Sequence, residues 1–129
     1  MKILGIDYGR SKIGLAISEG FLAEPYQVIK YKNPRQLAEK IMQLIEKEEI
    51  GKVIVGVSEG EMGAESKKFA IDISLLTKAI VETYDETLTT HDAQELSMEA
   101  GISQKRRHEM EDAYAAAVML QNYLNNQLD

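Results

Sequence analysis

The sequence predicts a single α/β domain, a mixed five-stranded sheet with three antiparallel strands first and helices on its faces. Three observations predict it. Two apolar runs separated by a short glycine-containing turn open the chain, as two strands of a hairpin do. Further on, amphipathic stretches of helical period alternate with short apolar runs. Finally, the 129 residues are 44% hydrophobic and carry no linker, repeat or low-complexity segment, so one core of useful size can form.

Residues 2–7 are apolar at nearly every position, which predicts a strand covered on both faces. Tyr8 to Lys12 is a turn centred on Gly9. Residues 13–19, IGLAISE, form the second strand. YQVIKY alternates apolar and polar residues as a half-exposed third strand. Asn33-Pro34 supplies an N-cap and a first-turn proline, and Leu37, Ile41, Leu44 and Ile45 follow at helical spacing, so residues 34–49 read as an amphipathic helix. VIVGV (53–57) is a buried strand and SEGEMGAES a loop. Residues 64–80 form a helix of weaker period, with Phe69, Ile73, Leu76 and Ile80 on one stripe. VETYDE (81–86) is the last strand. Residues 90–100 read as a short helix stopped by Gly101, GISQKRRH as a basic loop, and 109–126 as the last helix. Its Ala113, Ala116, Ala117, Leu120 and Leu124 face inward, and small residues there suit close approach to the sheet.

There is no cysteine, which excludes disulfides and thiolate metal sites. No apolar run approaches the roughly 20 residues of a membrane span, and the first is too short for a signal peptide. A cytoplasmic protein without membrane partners is expected. The net charge of −6 argues against a general nucleic-acid coat, but not against an enzyme that meets a phosphodiester through metal. Lys105, Arg106, Arg107 and His108 are the densest basic cluster, while Glu46 to Glu49 and Glu109 to Asp112 are dominated by acids.

Three acidic positions fall at element ends. Asp7 ends the first strand, Asp85 and Glu86 end the last, and Asp112 lies near the start of the final helix. Each has an ordinary role open to it. Asp7 suits a turn, Asp85-Glu86 suits the entry to a helix capped by Thr89 or Thr90, and Asp112 suits a helix macrodipole. With the first strand central, all three sites would instead converge at one sheet edge. Carboxylates packed together repel and lose hydration, and a divalent cation is the usual compensator. Oxygen donors without Cys or suitably spaced His favour Mg²⁺ or Mn²⁺. Two such ions roughly 4 Å apart would activate water and stabilise a leaving phosphodiester oxygen. Lys105, Arg106 and Arg107 are either a solvated loop or contacts to flanking phosphates, and Arg10 and Lys12 can serve the same end. His91 and His108 read as surface residues.

GIDYGRSKIGLAIS, IVGV, DETLTT and EDAYAAAVMLQNYL resemble, in order and spacing, the YqgF/RuvX-type family. These are small bacterial ribonuclease H-fold proteins described as Holliday-junction-resolvase-like or as nucleases of pre-ribosomal RNA. The resemblance covers nearly the whole chain. It implies one RNase H-like domain over 1–129 with a metal-dependent acidic triad, in which Asp7, Glu86 and Asp112 match the family's three carboxylates. Asp85 belongs to the second motif and could assist. The implied activity is Mg²⁺- or Mn²⁺-dependent endonucleolytic hydrolysis of structured nucleic acid, either a pre-16S rRNA end or a four-way junction. The alternative is a non-catalytic RNA-binding factor in ribosome assembly or transcription. A junction resolvase would be a homodimer, whereas an RNA trimmer can be a monomer. Three positions depart from the family pattern. Thr87 replaces an Arg after the Asp-Glu pair, and Lys12 replaces the Arg before Ile-Gly. SEGEMG replaces a Leu-Pro loop, which brings in Glu59 as a substitute for, or addition to, the second carboxylate. The opening motif also resembles the phosphate loop of actin-like ATPases, which close two such domains around ATP.

Overall fold

The computed structural model describes residues 1–86 and 104–127, and only the backbone of 104–107. The element order is β1 (Lys2–Asp7), β2 (Lys12–Ser18), β3 (Ala23–Lys30), α1 (Pro34–Lys47), β4 (Ile50–Val57), α2 (Gly60–Leu76), β5 (Ile80–Asp85) and α3 (Gln104–Asn126). The sheet order is β3-β2-β1-β4-β5, which puts β1 at the centre, the condition under which the three acidic positions converge. β1–β2 and β2–β3 pair antiparallel, while β1–β4 and β4–β5 pair parallel.

Residue alternation along the strands divides the core between two faces. Leu4, Ile6, Ile13, Leu15, Val53 and Val55 turn toward α1 and α2, where they meet Leu37, Ile41, Leu44, Ile45, Phe69 and Ile73. Ile3, Ala16 and Ile54 turn the other way and pack on Ala116, Ala117, Leu120, Tyr123 and Leu124 of α3. Each fully buried aliphatic side chain contributes roughly 1.5–3 kcal/mol relative to exposure, so the two layers hold the sheet firmly from both sides. α1 begins where Asn33 accepts a hydrogen bond from the Arg35 amide at 2.8 Å. Among the described residues no helix is long and apolar enough to cross a membrane.

Most element boundaries move by one to four residues from the sequence reading, and those of β3, α2 and the last helix bear on the site. β3 starts before Tyr26 and takes in Pro25, which is tolerated because β3 is an edge strand and the register shifts opposite Leu15/Ala16. The segment expected as a loop, SEGEMGAES, instead supplies the first turns of α2. Its glycines mask the helix in the sequence, yet Gly63 is required because the Ser58 backbone lies where a side chain would stand. α2 then ends at Leu76, where Thr77 Oγ1 accepts from the Ala79 amide at 3.0 Å and turns the chain into β5. The basic segment is not a loop at Lys105, Arg106 and Arg107, because α3 already starts at Gln104. Lys and Arg are good helix formers, and nothing between Gln104 and Glu109 interrupts a helix. The helix expected over 90–100, with Thr87, Thr89, Thr90 and His91, lies outside the described residues.

Candidate active site

Asp7 is the last residue of β1, and its register explains the whole site. It stands opposite Gly14 on β2 and opposite Gly56 on β4. All three share the α3 face of the sheet by alternation with Gly5 and Ile54. A glycine on each side of a buried strand end leaves two empty side-chain positions, and both are filled by acidic residues from elsewhere. The Asp112 backbone on α3 lies directly over Gly14, where a Cβ would overlap its carbonyl. Glu86, just past β5, lays its side chain over Gly56, with Cγ 2.9 Å from where a Cβ would be. Gly5 continues the row, with a Cβ position 3.0 Å from Leu120 Cβ, so α3 rides close to β1 and β2 along its length.

The result is a half-buried carboxyl facing two other carboxylates. Burial pushes the Asp7 carboxyl up from its ordinary range to about 9, reinforced by a hydrogen bond with Glu86 and by the charges of Glu86 and Asp112. The rise has an ordinary cause, since a buried carboxyl beside two other acidic groups is easier to keep neutral than charged. Lys12 reaches this group from β2, with its Nζ 3.1 Å from the Asp112 carboxylate. Among the described residues no three acidic or histidine side chains converge on a single point. Asp7 and Glu86 are already in contact, and Asp112 is held toward Lys12.

Asp85 and Glu59 lie apart from this group. Asp85 pairs with Val57, on the strand positions that face α1 and α2, and it lines a cleft with Glu59 and Lys67 at the start of α2. Glu59 is the N-cap residue of α2 and makes no side-chain capping bond. Of the two adjacent acids at the end of β5, only Glu86 crosses to the Asp7 side. Arg10 binds α2, with its Nε 2.9 Å from Glu65 and a further contact of 3.6 Å to Glu61. Tyr31 fixes the same turn from the other side. Its hydroxyl donates to the Gly9 carbonyl and its amide to the Ser11 carbonyl at 2.9 Å. Lys105, Arg106 and Arg107 begin α3, upstream of Asp112 on the same helix. Asp112 thus lies well past the first turn of α3, which removes the macrodipole explanation for it. His108 is exposed and sits 3.9 Å from Glu111. The sequence reading did not single out Gly14 and Gly56, although a glycine inside an apolar strand is a known sign of close approach.

A family model described as RuvX, Holliday junction resolvase, matches residues 1–126. Among curated relatives, a protein of Halothermothrix orenii named "Putative pre-16S rRNA nuclease" is 38% identical over 98% of this chain and 96% of its own length. One of the same name from Clostridium acetobutylicum is 34% identical over 98% and 99%. Among solved structures, the Fowlpox virus resolvase in complex with Holliday junction DNA superposes with a TM-score of 0.69 at 12% identity, covering 100% of both chains. RuvC of T. thermophilus, in complex with a Holliday junction substrate, gives 0.63 at 14% identity over 98% and 96%. At these identities the structural likeness establishes the resolvase-type fold.

Proposed function

This chain belongs to the RuvX, Holliday junction resolvase, family, and from that premise we propose that it is a divalent-metal-dependent endonuclease that processes the ends of pre-16S rRNA. One observation carries the reading. Asp7 ends the central strand between two glycines, and Glu86 and Asp112 occupy the space those glycines leave. Full-length relatives named for pre-16S rRNA favour RNA over branched DNA.

The donor chemistry fits Mg²⁺ or Mn²⁺. Every candidate ligand is a carboxylate oxygen, the donor these hard cations take, and Asp7 lies beside Glu86 and within the field of Asp112. Asp7 and Glu86 would be the first ligands, and Asp112 would join them by exchanging its Lys12 partner. When bound, such ions supply Lewis-acid stabilisation to phosphate oxygens and make water more acidic. The chain's own residues do the rest. Asp7 would hold such an ion as the carboxylate, because a nearby positive charge favours the charged form that burial disfavours. The β1–β2 turn, pinned by Tyr31 and Arg10, fixes the position of the carboxylate on the strand before it. Lys12, which pairs with Asp112 here, would contact a phosphate beside the scissile bond if that pair opened.

A second reading, that of an RNA-binding factor without catalysis, draws on the ion pairs that engage Arg10, Lys12 and Asp112 within the chain. The two are separated by incubating the protein with a pre-16S rRNA fragment and with a four-way DNA junction, in Mg²⁺, Mn²⁺ or EDTA. Metal-dependent cleavage of the RNA supports the proposal. Binding without cleavage in every metal supports the second reading. Cleavage confined to the junction would redirect the substrate to DNA.

A further inference from the structure

We propose that the cleft beside Lys12 is a docking track for the phosphodiester backbone of the substrate, held by Lys30, Lys32 and Lys40. The inference rests on the nuclease reading and extends it to residues outside the candidate active site. The cleft, of ≈ 490 Å³, is lined by these three lysines and Lys12 together with Tyr31 and Gln36, and among the described residues no acidic side chain lines it. In a chain of net charge −6, so local an excess of positive charge is a specific feature.

Four features give this cluster a ligand's chemistry. First, Lys12 and Lys30 stand directly opposite one another on β2 and β3. Like charges in that position destabilise a sheet, and a bridging anion removes the penalty. Second, Lys2, Arg10, Lys12 and Lys52 are each paired with a carboxylate, whereas among the described residues Lys30, Lys32 and Lys40 take no ion pair. Third, α1 starts at the cleft. Its first turn holds no acidic residue, so the positive end of its dipole adds to Lys32, and Gln36 and Lys40 follow on one helical face. Fourth, the cleft is continuous with the candidate active site, because Lys12 both lines it and contacts Asp112 at 3.1 Å. Tyr31, which also lines the cleft, is held to the β1–β2 turn by its bonds to Gly9 and Ser11. Lysines spread over a strand end, a loop and a helix suit successive phosphates along a strand rather than one small anion. Such contacts set position and register without reading bases.

The test uses K30Q/K32Q/K40Q, three exposed positions whose change leaves the core untouched. A control of equal charge, K47Q/K68Q/K78Q, alters exposed lysines outside the cleft. Binding of a fluorescent RNA stem–loop with single-stranded flanks is measured by anisotropy in EDTA across a salt series, with circular dichroism to verify folding. The cleft variant is expected to bind at least about tenfold more weakly, and its slope of log K against log salt to fall by roughly 2–3. The control slope should change by less than about 1. Equal binding by the cleft variant and the wild type, or equal loss in both variants, overturns the track. Parallel cleavage assays keep the two readings apart. A wild type that binds through these lysines but never cleaves overturns the nuclease reading and leaves the track standing. A wild type that cleaves, with KM unchanged in the cleft variant, overturns the track and leaves the nuclease. Absence of any RNA binding by the wild type overturns both.

Discussion

Replacing Gly56 by Ala should separate activity from stability. A Cβ at Gly56 would stand 2.9 Å from Glu86 Cγ and 3.0 Å from Cδ, closer than real side chains approach, so Glu86 must move. It is able to move, because the obstruction is the end of a flexible side chain. Ala in place of Gly inside a strand gains roughly 0.5–1 kcal/mol. Losing the hydrogen bond between Asp7 and Glu86 costs roughly 0.5–1.5 kcal/mol. The two nearly cancel, so Tm should shift by no more than about 5 °C. Cleavage should nevertheless fall by about 100-fold, the usual result of moving a reacting group by about 1 Å. Gly14→Ala is the contrasting case. There the obstruction is backbone, with Ala113 N only 2.8 Å from the Cβ position, and no rotamer relieves it. α3 must shift as a body, at a cost of about 1–3 kcal/mol and a Tm loss of roughly 4–10 °C. Thermal melts followed by circular dichroism, with single-turnover cleavage on the same preparations, measure both quantities. A Gly56→Ala protein that cleaves at the wild-type rate, or a Gly14→Ala protein that melts with the wild type, would refute the packing argument.

Other outcomes follow from the same geometry. Folded Asp7 holds its proton up to about pH 9, whereas the unfolded chain loses it near the usual 3.9, so wild-type stability should fall as pH rises through that window. Asp7→Asn removes this dependence, and its Tm gain should be larger at about pH 8 than at about pH 5; equal gains at both would show that Asp7 titrates normally. Mn²⁺ at about 100 times its Kd should stabilise the wild type by roughly 2.7 kcal/mol and leave Asp7→Asn nearly unmoved in a thermal-shift titration. Tyr31→Phe strips the Gly9 carbonyl of its donor and should cost about 1 kcal/mol in urea unfolding.

Much of this arrangement was legible in the sequence because it rests on local periodicity. Asn33-Pro34 and the Leu37–Ile45 stripe mark α1 without help from the rest of the chain. The hairpin of β1 and β2 follows from two apolar runs joined by a short glycine-containing turn. The start of α2 was not legible, because Gly60 and Gly63 argue locally against a helix and only packing against Ser58 explains Gly63. The start of α3 was missed for a different reason, since a basic run reads equally as solvated loop or helix. Sequence order brought Asp7, Glu86 and Asp112 to the candidate site but left Asp85, Glu86 and Glu59 as competitors. The choice among them needs the sheet, because one residue of register decides which face a strand-end carboxylate joins. The cations were the least legible. Arg10 and Lys12 find partners on α2 and α3 that no local pattern announces.

The most direct test of the account is the single-turnover rate of pre-16S rRNA cleavage in Mg²⁺ for Asp7→Asn, Glu86→Gln, Asp112→Asn and Asp85→Asn, each verified as folded. The account predicts at least about a hundredfold loss in the first three and a rate within a few-fold of wild type for Asp85→Asn. Wild-type cleavage by Asp7→Asn, or a loss at Asp85 as deep as that at Glu86, would contradict it.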